Sequence, residues 1–220
     1  MKHQHFYFKE QHLWLSHERV IFWEDAKTLI ISDTHFGKTG HFRKSGIGVP
    51  QHIFLEDLQR LFSLIQFYKP EQLIVVGDFF HSNANKENLL FEKWRNDVTQ
   101  LEILLVKGNH DILHKDWYKQ LNVQLFADEP LCINTLAFLH DYTEINKHPK
   151  YADAYFFTGH LHPGIFIKGR SRQSLRFPCF YFGDEFAVLP AFSKFSGLAL
   201  IDKKKTDKVF AIVNDDLIEM

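Results

Sequence analysis

No stretch of the 220 residues approaches the ~20 consecutive apolar positions that a membrane-crossing helix requires, although phenylalanine occurs 23 times. No membrane partner is expected. Cysteine is scarce: Cys132 and Cys179 stand alone, neither in a Cys-x-x-Cys pair, which argues against a disulfide framework and for two buried thiols. Neither sign of charge is in excess. The 26 Lys+Arg nearly cancel the 27 Asp+Glu, which excludes a global basic field, so any polyanion site must be local. Internal repeats, low-complexity tracts and long Gly/Ser linkers are missing, and the length suits one domain, 1–220, with one sizeable core. Met1 to Glu10 lacks the apolar run and small-residue cleavage site of a secretory signal, so a cytoplasmic location is expected.

What the chain does have is a series of short apolar runs that end in polar residues. Alternation through His5–Phe8, Leu13–Leu15 and Val20–Trp23 predicts short antiparallel strands. Thr28–Ile31, Leu73–Val76 and Ile103–Val106 are continuous runs of the kind that form strands buried on both faces. Between them, Phe54, Leu58, Leu61, Phe62 and Ile65 follow helical spacing until Lys69-Pro70 stops the pattern, and Lys86 to Val98 predicts a second helix. From Leu131 onward strands dominate: Leu131–Ile133, Leu136–Leu139, Tyr155–Phe157, Gly164–Ile167, Cys179–Phe182 and a closing pair around Leu198 and Phe210. Lys203-Lys204-Lys205 is expected in the hairpin turn of that pair. The pattern is that of an α/β fold with a second sheet behind the first and ligands gathered at the carboxyl edge of the strands.

Fourteen histidines are many for this length, and several stand at strand ends. Five motifs follow in order: Asp33-Thr34-His35, Gly77-Asp78-Phe79-Phe80-His81, Gly108-Asn109-His110-Asp111, His140-Asp141 and Gly159-His160-Leu161-His162. In Asp33-x-His35 and His160-x-His162, residues two apart on an extended segment project to one side, so each pair could grip a metal. Taken singly, a histidine after a strand is an ordinary surface or core residue. The whole ordered series is a much rarer coincidence. Mixed carboxylate, amide and imidazole donors suit Mn²⁺, Fe²⁺ or Zn²⁺ better than Ca²⁺ or Mg²⁺.

The series resembles the motifs of the calcineurin-like metallophosphoesterase superfamily from Asp33 to His162. The resemblance implies a sandwich of two mixed β-sheets flanked by helices, with the metal site at the carboxyl ends of the strands. It implies that Asp33, His35, Asp78 and His162 hold one divalent ion and Asp78, Asn109, His140 and His160 the other. Two ions roughly 3.5–4 Å apart can polarise a phosphoryl group and share a hydroxide that attacks phosphorus in line. His110 resembles the family's catalytic histidine, assisting the leaving oxygen, with Asp111 orienting it. His81 is expected to orient the bridging Asp78 or its loop, and Asp141 is expected to be structural.

A narrower resemblance lies in the run from Gly37 to Pro50, in Asp78-Phe79-Phe80-His81-Ser82, in Gly159-His160-Leu161-His162-Pro163 and in Leu189-Pro190-Ala191-Phe192. These resemble the bacterial ligase-associated endonuclease family, PdeM, with Thr34 and Phe36 where that family often has Leu. The implication is a Mn²⁺-dependent DNA phosphodiesterase acting in DNA repair alongside a DNA ligase, a helicase and an exonuclease. Lys38, His41, Arg43 and Lys44 place donors beside the metal site that could hold backbone phosphates, with Arg170, Arg172 and Arg176 as lesser candidates. No large charged cap domain is visible, so an open cleft that admits single strands more easily than duplex is expected. Two other readings compete: a phosphoesterase for a small nucleotide or phosphomonoester, since the same chemistry serves both, and a non-catalytic metal-binding scaffold. The intact ligand set argues against the scaffold.

Overall fold

The computed structural model describes residues 2–38, 52–81, 86–168 and 174–220. In its first part, β1 (His3–Phe8), β2 (Gln11–Ser16), β3 (Val20–Trp23) and β4 (Thr28–Ile31) form an antiparallel meander. Beyond β4 the strands β5 (Gln72–Val76), β6 (Glu102–Val106) and β7 (Val123–Phe126) add in parallel, giving a mixed sheet in sequence order. The parallel crossovers carry the helices α1 (His52–Tyr68), α2 (Lys86–Asp97) and α3 (Lys115–Gln120). None of the helices in the described residues is long and apolar enough to cross a membrane.

The period of two along each strand decides which layer a side chain enters. On β5, Leu73 and Val75 face the helices, where they meet Leu58 and Leu61 of α1 and Phe91 of α2. Ile74 and Val76 face the opposite way and join Phe157, Phe180 and Phe210 from a second sheet. Both faces are therefore buried, which is why β4, β5 and β6 are uninterrupted apolar runs in the sequence. Phe62, counted above on the buried face of α1, is 38% exposed, and Leu64 takes its place inside. The helix stops where Lys69 turns into the left-handed region (φ 49°), its N–H still reaching the Ile65 carbonyl, and Pro70 cannot continue it.

The second sheet contains β8 (Leu131–Ile133), β9 (Leu136–Phe138), β10 (Tyr155–Thr158), β11 (Pro163–Lys168), β12 (Ser174–Phe182), β13 (Phe186–Val188), β14 (Ala199–Leu200), β15 (Lys208–Val213) and β16 (Asp216–Glu219). Its order is β14-β11-β12-β13-β10-β9-β8, with β15 on β12 and β16 on β15. The protein is thus an α/β sandwich of two mixed sheets with helices on the outer face of the first.

Two expectations need correction. The strands near Leu198 and Phe210 do not pair: β14 runs parallel to β11, whereas β15 lies antiparallel to β12 and closes a hairpin with β16. Lys203-Lys204-Lys205 is exposed but belongs to the connection between those separate positions. Cys179 is buried, and burial pushes its thiol up to about 12. Cys132 is exposed, because it sits on the edge strand β8, where alternate residues turn outward.

Candidate metal centre

Five strand ends converge at one edge of the sandwich. β4 delivers Asp33 and His35, β5 delivers Asp78, β6 delivers Asn109 and His110, β9 delivers His140, and β10 delivers His160 and His162. The loops are sewn together through main-chain bonds: Asp33 N–H to Gly77 O (3.1 Å), His35 N–H to Asp78 O (2.9 Å) and Gly159 N–H to His140 O (2.9 Å). The two sheets approach so closely that a Cβ on Gly77 would lie 2.0 Å from the His140 ring, and Gly77 itself needs its positive φ of 79°.

Asp33, His35, Asp78, His160 and His162 all adopt left-handed backbone conformations, with φ between 50° and 65°. Each such conformation costs a non-glycine residue of order 1 kcal/mol or more and persists only where surrounding bonds over-determine it. Here they do. Ser32 donates its hydroxyl to Asp33, Thr34 Oγ1 donates to Phe79 O (2.7 Å), and His160 N–H reaches Asp33 Oδ2 (3.1 Å). The sequence motifs assign no part in the site to Ser32 or Thr34, and the hint is that both are small hydroxyl residues flanking a carboxylate after an apolar run.

The side chains form two groups, each able to hold a metal ion: Asp33, His35 and His162, and Asp78, His140 and His160. In the first, His162 Nε2 lies 3.3 Å from both His35 Nε2 and Asp33 Oδ1. Two atoms each about 2.1 Å from one ion at a roughly tetrahedral angle would be separated by about that distance. In the second, His140 Nε2 lies 3.2 Å from Asn109 Oδ1 and 3.5 Å from Asp78 Oδ1, while His140 Nδ1 donates to Val76 O (3.0 Å). That outer bond fixes the ring and turns its other nitrogen to the group. Asp78 lies between the two groups, with Oδ2 3.9 Å from His35 Nδ1.

The electrostatics suit cation ligation, which needs deprotonated donors. Burial, helped by the nearby Lys38 ammonium, lowers His35 to about 3 and keeps its imidazole neutral. Burial also opposes charge on Asp78, but His140 and the His110 N–H hold its carboxyl well below the usual range. The same pairing pushes His140 up to about 9 against the effect of burial, so a cation entering the second group would displace that proton.

His110 borders both groups with its side chain 41% exposed, its Nε2 4.0 Å from Asp78 Oδ2 and its N–H bonded to Asp78 Oδ1 (2.8 Å). His81 packs against it with ring centroids 4.2 Å apart and also abuts His35. Asp111 departs from the expected part of orienting His110. Its two oxygens accept from Phe80 N–H (3.0 Å) and Gly108 N–H (2.9 Å), so it ties the Asp78 loop to the Asn109 loop from beneath. Asp141 accepts from Thr143 and caps the 3-10 turn Tyr142–Lys147, a structural part. Lys38 is half-buried near Asp33 and Asp78, and burial lowers its ammonium pKa against their attraction. His41, Arg43, Lys44, Arg170 and Arg172 lie outside the described residues, and the Arg176 guanidinium lies over the Phe166 ring.

A sandwich of two mixed sheets that gathers two His/carboxylate groups at its strand ends has the architecture of a metallophosphoesterase. The family model for calcineurin-like phosphoesterases matches residues 26–212, so the chain belongs to that family, a class of phosphoester hydrolases. Among solved structures, the nuclease MPE of Pseudomonas putida superposes with a TM-score of 0.82 at 27% identity, covering 100% of both chains. YfcE, a phosphoesterase from E. coli, aligns over 86% of this chain and 90% of its own at 15% identity and a TM-score of 0.42. No curated protein matches the chain.

Proposed function

We propose that this protein is a divalent-metal-dependent DNA endonuclease with Mn²⁺ as its ion. The observation that carries the reading is the pair of donor groups flanking the partly exposed His110 at one edge of the sandwich. Likeness over the full length to a nuclease supports a nucleic acid over a small phosphoester, and resemblance to the ligase-associated endonuclease family supports DNA. The described donors fit such ions in spacing and in their mixture of nitrogen and oxygen. Asp33, His35, His162 and Asp78 would hold one ion, and Asp78, Asn109, His140 and His160 the other. Bound there, the ions would supply Lewis-acid polarisation of the phosphoryl group and activation of water.

The chain's own residues do the rest. His110 is anchored through its N–H to Asp78 and leaves its ring open to solvent, so it can hold a proton for the departing oxygen. His81 supports that ring from one side. Lys38 offers a cation beside the first group, and His41, Arg43 and Lys44 follow it in sequence as further phosphate donors. Resemblance to the ligase-associated family extends the proposal to DNA repair in the cytoplasm, in company with a ligase, a helicase and an exonuclease. The test is incubation of metal-stripped protein with Mn²⁺ and labelled single-stranded and duplex DNA, beside His110→Ala and a small diester dye. Mn²⁺-dependent DNA cutting abolished by the substitution is the expected result. Dye hydrolysis without DNA cutting would move the substrate to a small phosphoester.

A further inference from the structure

Beside the second donor group the surface opens into a recess of about 390 Å³, and Asn109, His140 and His160 form one of its walls. His140 and His160 are shared between this recess and the second donor group. A volume of that size sits at the lower end of the roughly 300–1,000 Å³ typical of small-ligand sites. Its apolar lining is Val106, Ile112, Phe126, Ala127 and Leu139, and Ile112, two residues beyond His110, is 60% exposed.

Acidic side chains dominate the charged part of the lining, where Asp128, Glu129, Asp141 and Glu144 outnumber Lys107 and His148. Lys147 pairs with Glu144 at 2.6 Å, and His148 stands 3.9 Å from Glu129, which reduces the negative balance without reversing it. Away from the ion that Asn109, His140 and His160 would hold, these carboxylates disfavour a backbone phosphate. The cation near the other donor group, Lys38, lies on the His35 side. The site is therefore electrostatically lopsided, with one flank suited to phosphates and the other to something uncharged that brings hydrogen-bond donors and a flat apolar face.

We infer that the recess takes a single unstacked nucleobase, that of the nucleotide next to the scissile phosphate, and that it favours bases carrying an exocyclic amine. The inference rests on the nuclease reading above. Adenine N6, cytosine N4 and guanine N2 donate to carboxylates, whereas thymine has no such amine. The base plane is covered by the apolar wall while the sugar-phosphate chain leaves toward the Lys38 flank. A paired base cannot enter without leaving its stack, so the same recess gives a physical reason for preferring single strands.

The test uses oligothymidylates with one central guest, adenine, cytosine, thymine or an abasic residue, cut by the Mn²⁺-loaded protein and mapped on a gel. Cutting next to adenine or cytosine is expected to exceed that next to the abasic guest by roughly tenfold, with thymine between. In Ile112→Ala and in Glu144→Gln, both at surface positions, that ratio falls toward one. A second readout needs no turnover: with metal-free protein, the fluorescence of a 2-aminopurine guest changes on binding to the wild type and not to Ile112→Ala. Equal cutting at base and abasic guests, or a ratio untouched by both substitutions, would overturn the subsite. Failure to cut any oligonucleotide would instead sink the nuclease reading itself.

Discussion

Gly108→Ala is the sharpest test of how the two donor groups are held. A Cβ at Gly108 would lie 2.3 Å from the main-chain nitrogen of Asp78 and 2.3 Å from its Oδ1. The nitrogen cannot swing away, so the β5 and β6 loops must separate by about 1 Å to restore ordinary contact. Overpacking of this kind costs about 1–3 kcal/mol. At about 2–4 °C per kcal/mol for a chain of this size, a cost near 2 kcal/mol lowers Tm by roughly 4–8 °C. The same displacement spreads Asp78 from Asn109, so metal affinity falls as well. In the wild type, Mn²⁺ at a hundredfold excess over Kd adds about 2.7 kcal/mol of stability, and hundredfold weaker binding would leave about 0.4 kcal/mol at that concentration. Thermal unfolding of both proteins with and without Mn²⁺ measures the two effects separately. A variant with wild-type Tm and an undiminished Mn²⁺ increment would refute the claim that this close approach sets the geometry of the site.

Burial pushes Asp111 up to about 7, far above an unfolded carboxyl near 4. Between those values the native state keeps a proton that the unfolded chain has lost, so Asp111 makes metal-free stability fall as pH rises from about 4 to about 7, against the rise that a neutral, buried His35 contributes over much of that range. Removing the Asp111 contribution in Asp111→Asn should make urea midpoints climb more steeply with pH over that range than in the wild type, and an unchanged slope would contradict it. Arg60, only slightly exposed, packs against Asp57 (2.9 Å) and the Phe192 ring (3.8 Å) and also donates to Phe192 O, while the Phe192 N–H bonds Ser32 O (2.7 Å). Arg60→Met should cost about 3–5 kcal/mol by stranding the Asp57 charge, and adding Asp57→Leu should recover part of it in chemical denaturation. Alkylation with iodoacetamide followed by mass spectrometry should modify Cys132 in the native protein and Cys179 only after unfolding.

The site is legible in the sequence to an unusual degree because its donors sit immediately after buried strands. A run such as Leu73–Val76 announces both the strand and the position of Asp78, and the same holds for Ile103–Val106 with Asn109. Elements that owe their form to tertiary packing are hidden. The short helix α3 and strand β7 have too few residues for a period to emerge, yet Tyr118, Leu121 and Val123 seat them firmly in the helix-side core. The pairing of β14 with β11 depends on a neighbour some 35 residues away in sequence, which no local pattern encodes. Asp111 reads as a partner for His110 because the two are adjacent, but its carboxylate is directed to backbone donors that only the folded loops supply. Arg60 looks like one more solvent-facing residue of an amphipathic helix until the Phe192 segment is laid over it.

Each donor group draws on both sheets: Asp33 and His35 come from the first and His162 from the second, while Asp78 comes from the first and His140 and His160 from the second. An ion held by either group is consequently a rivet through the sandwich, and separating the layers would require its release. For a cell short of metal, the consequence is more than idle enzyme. The unliganded chain would open more often, meet proteases sooner and turn over faster, so its abundance would itself report the supply of the ion.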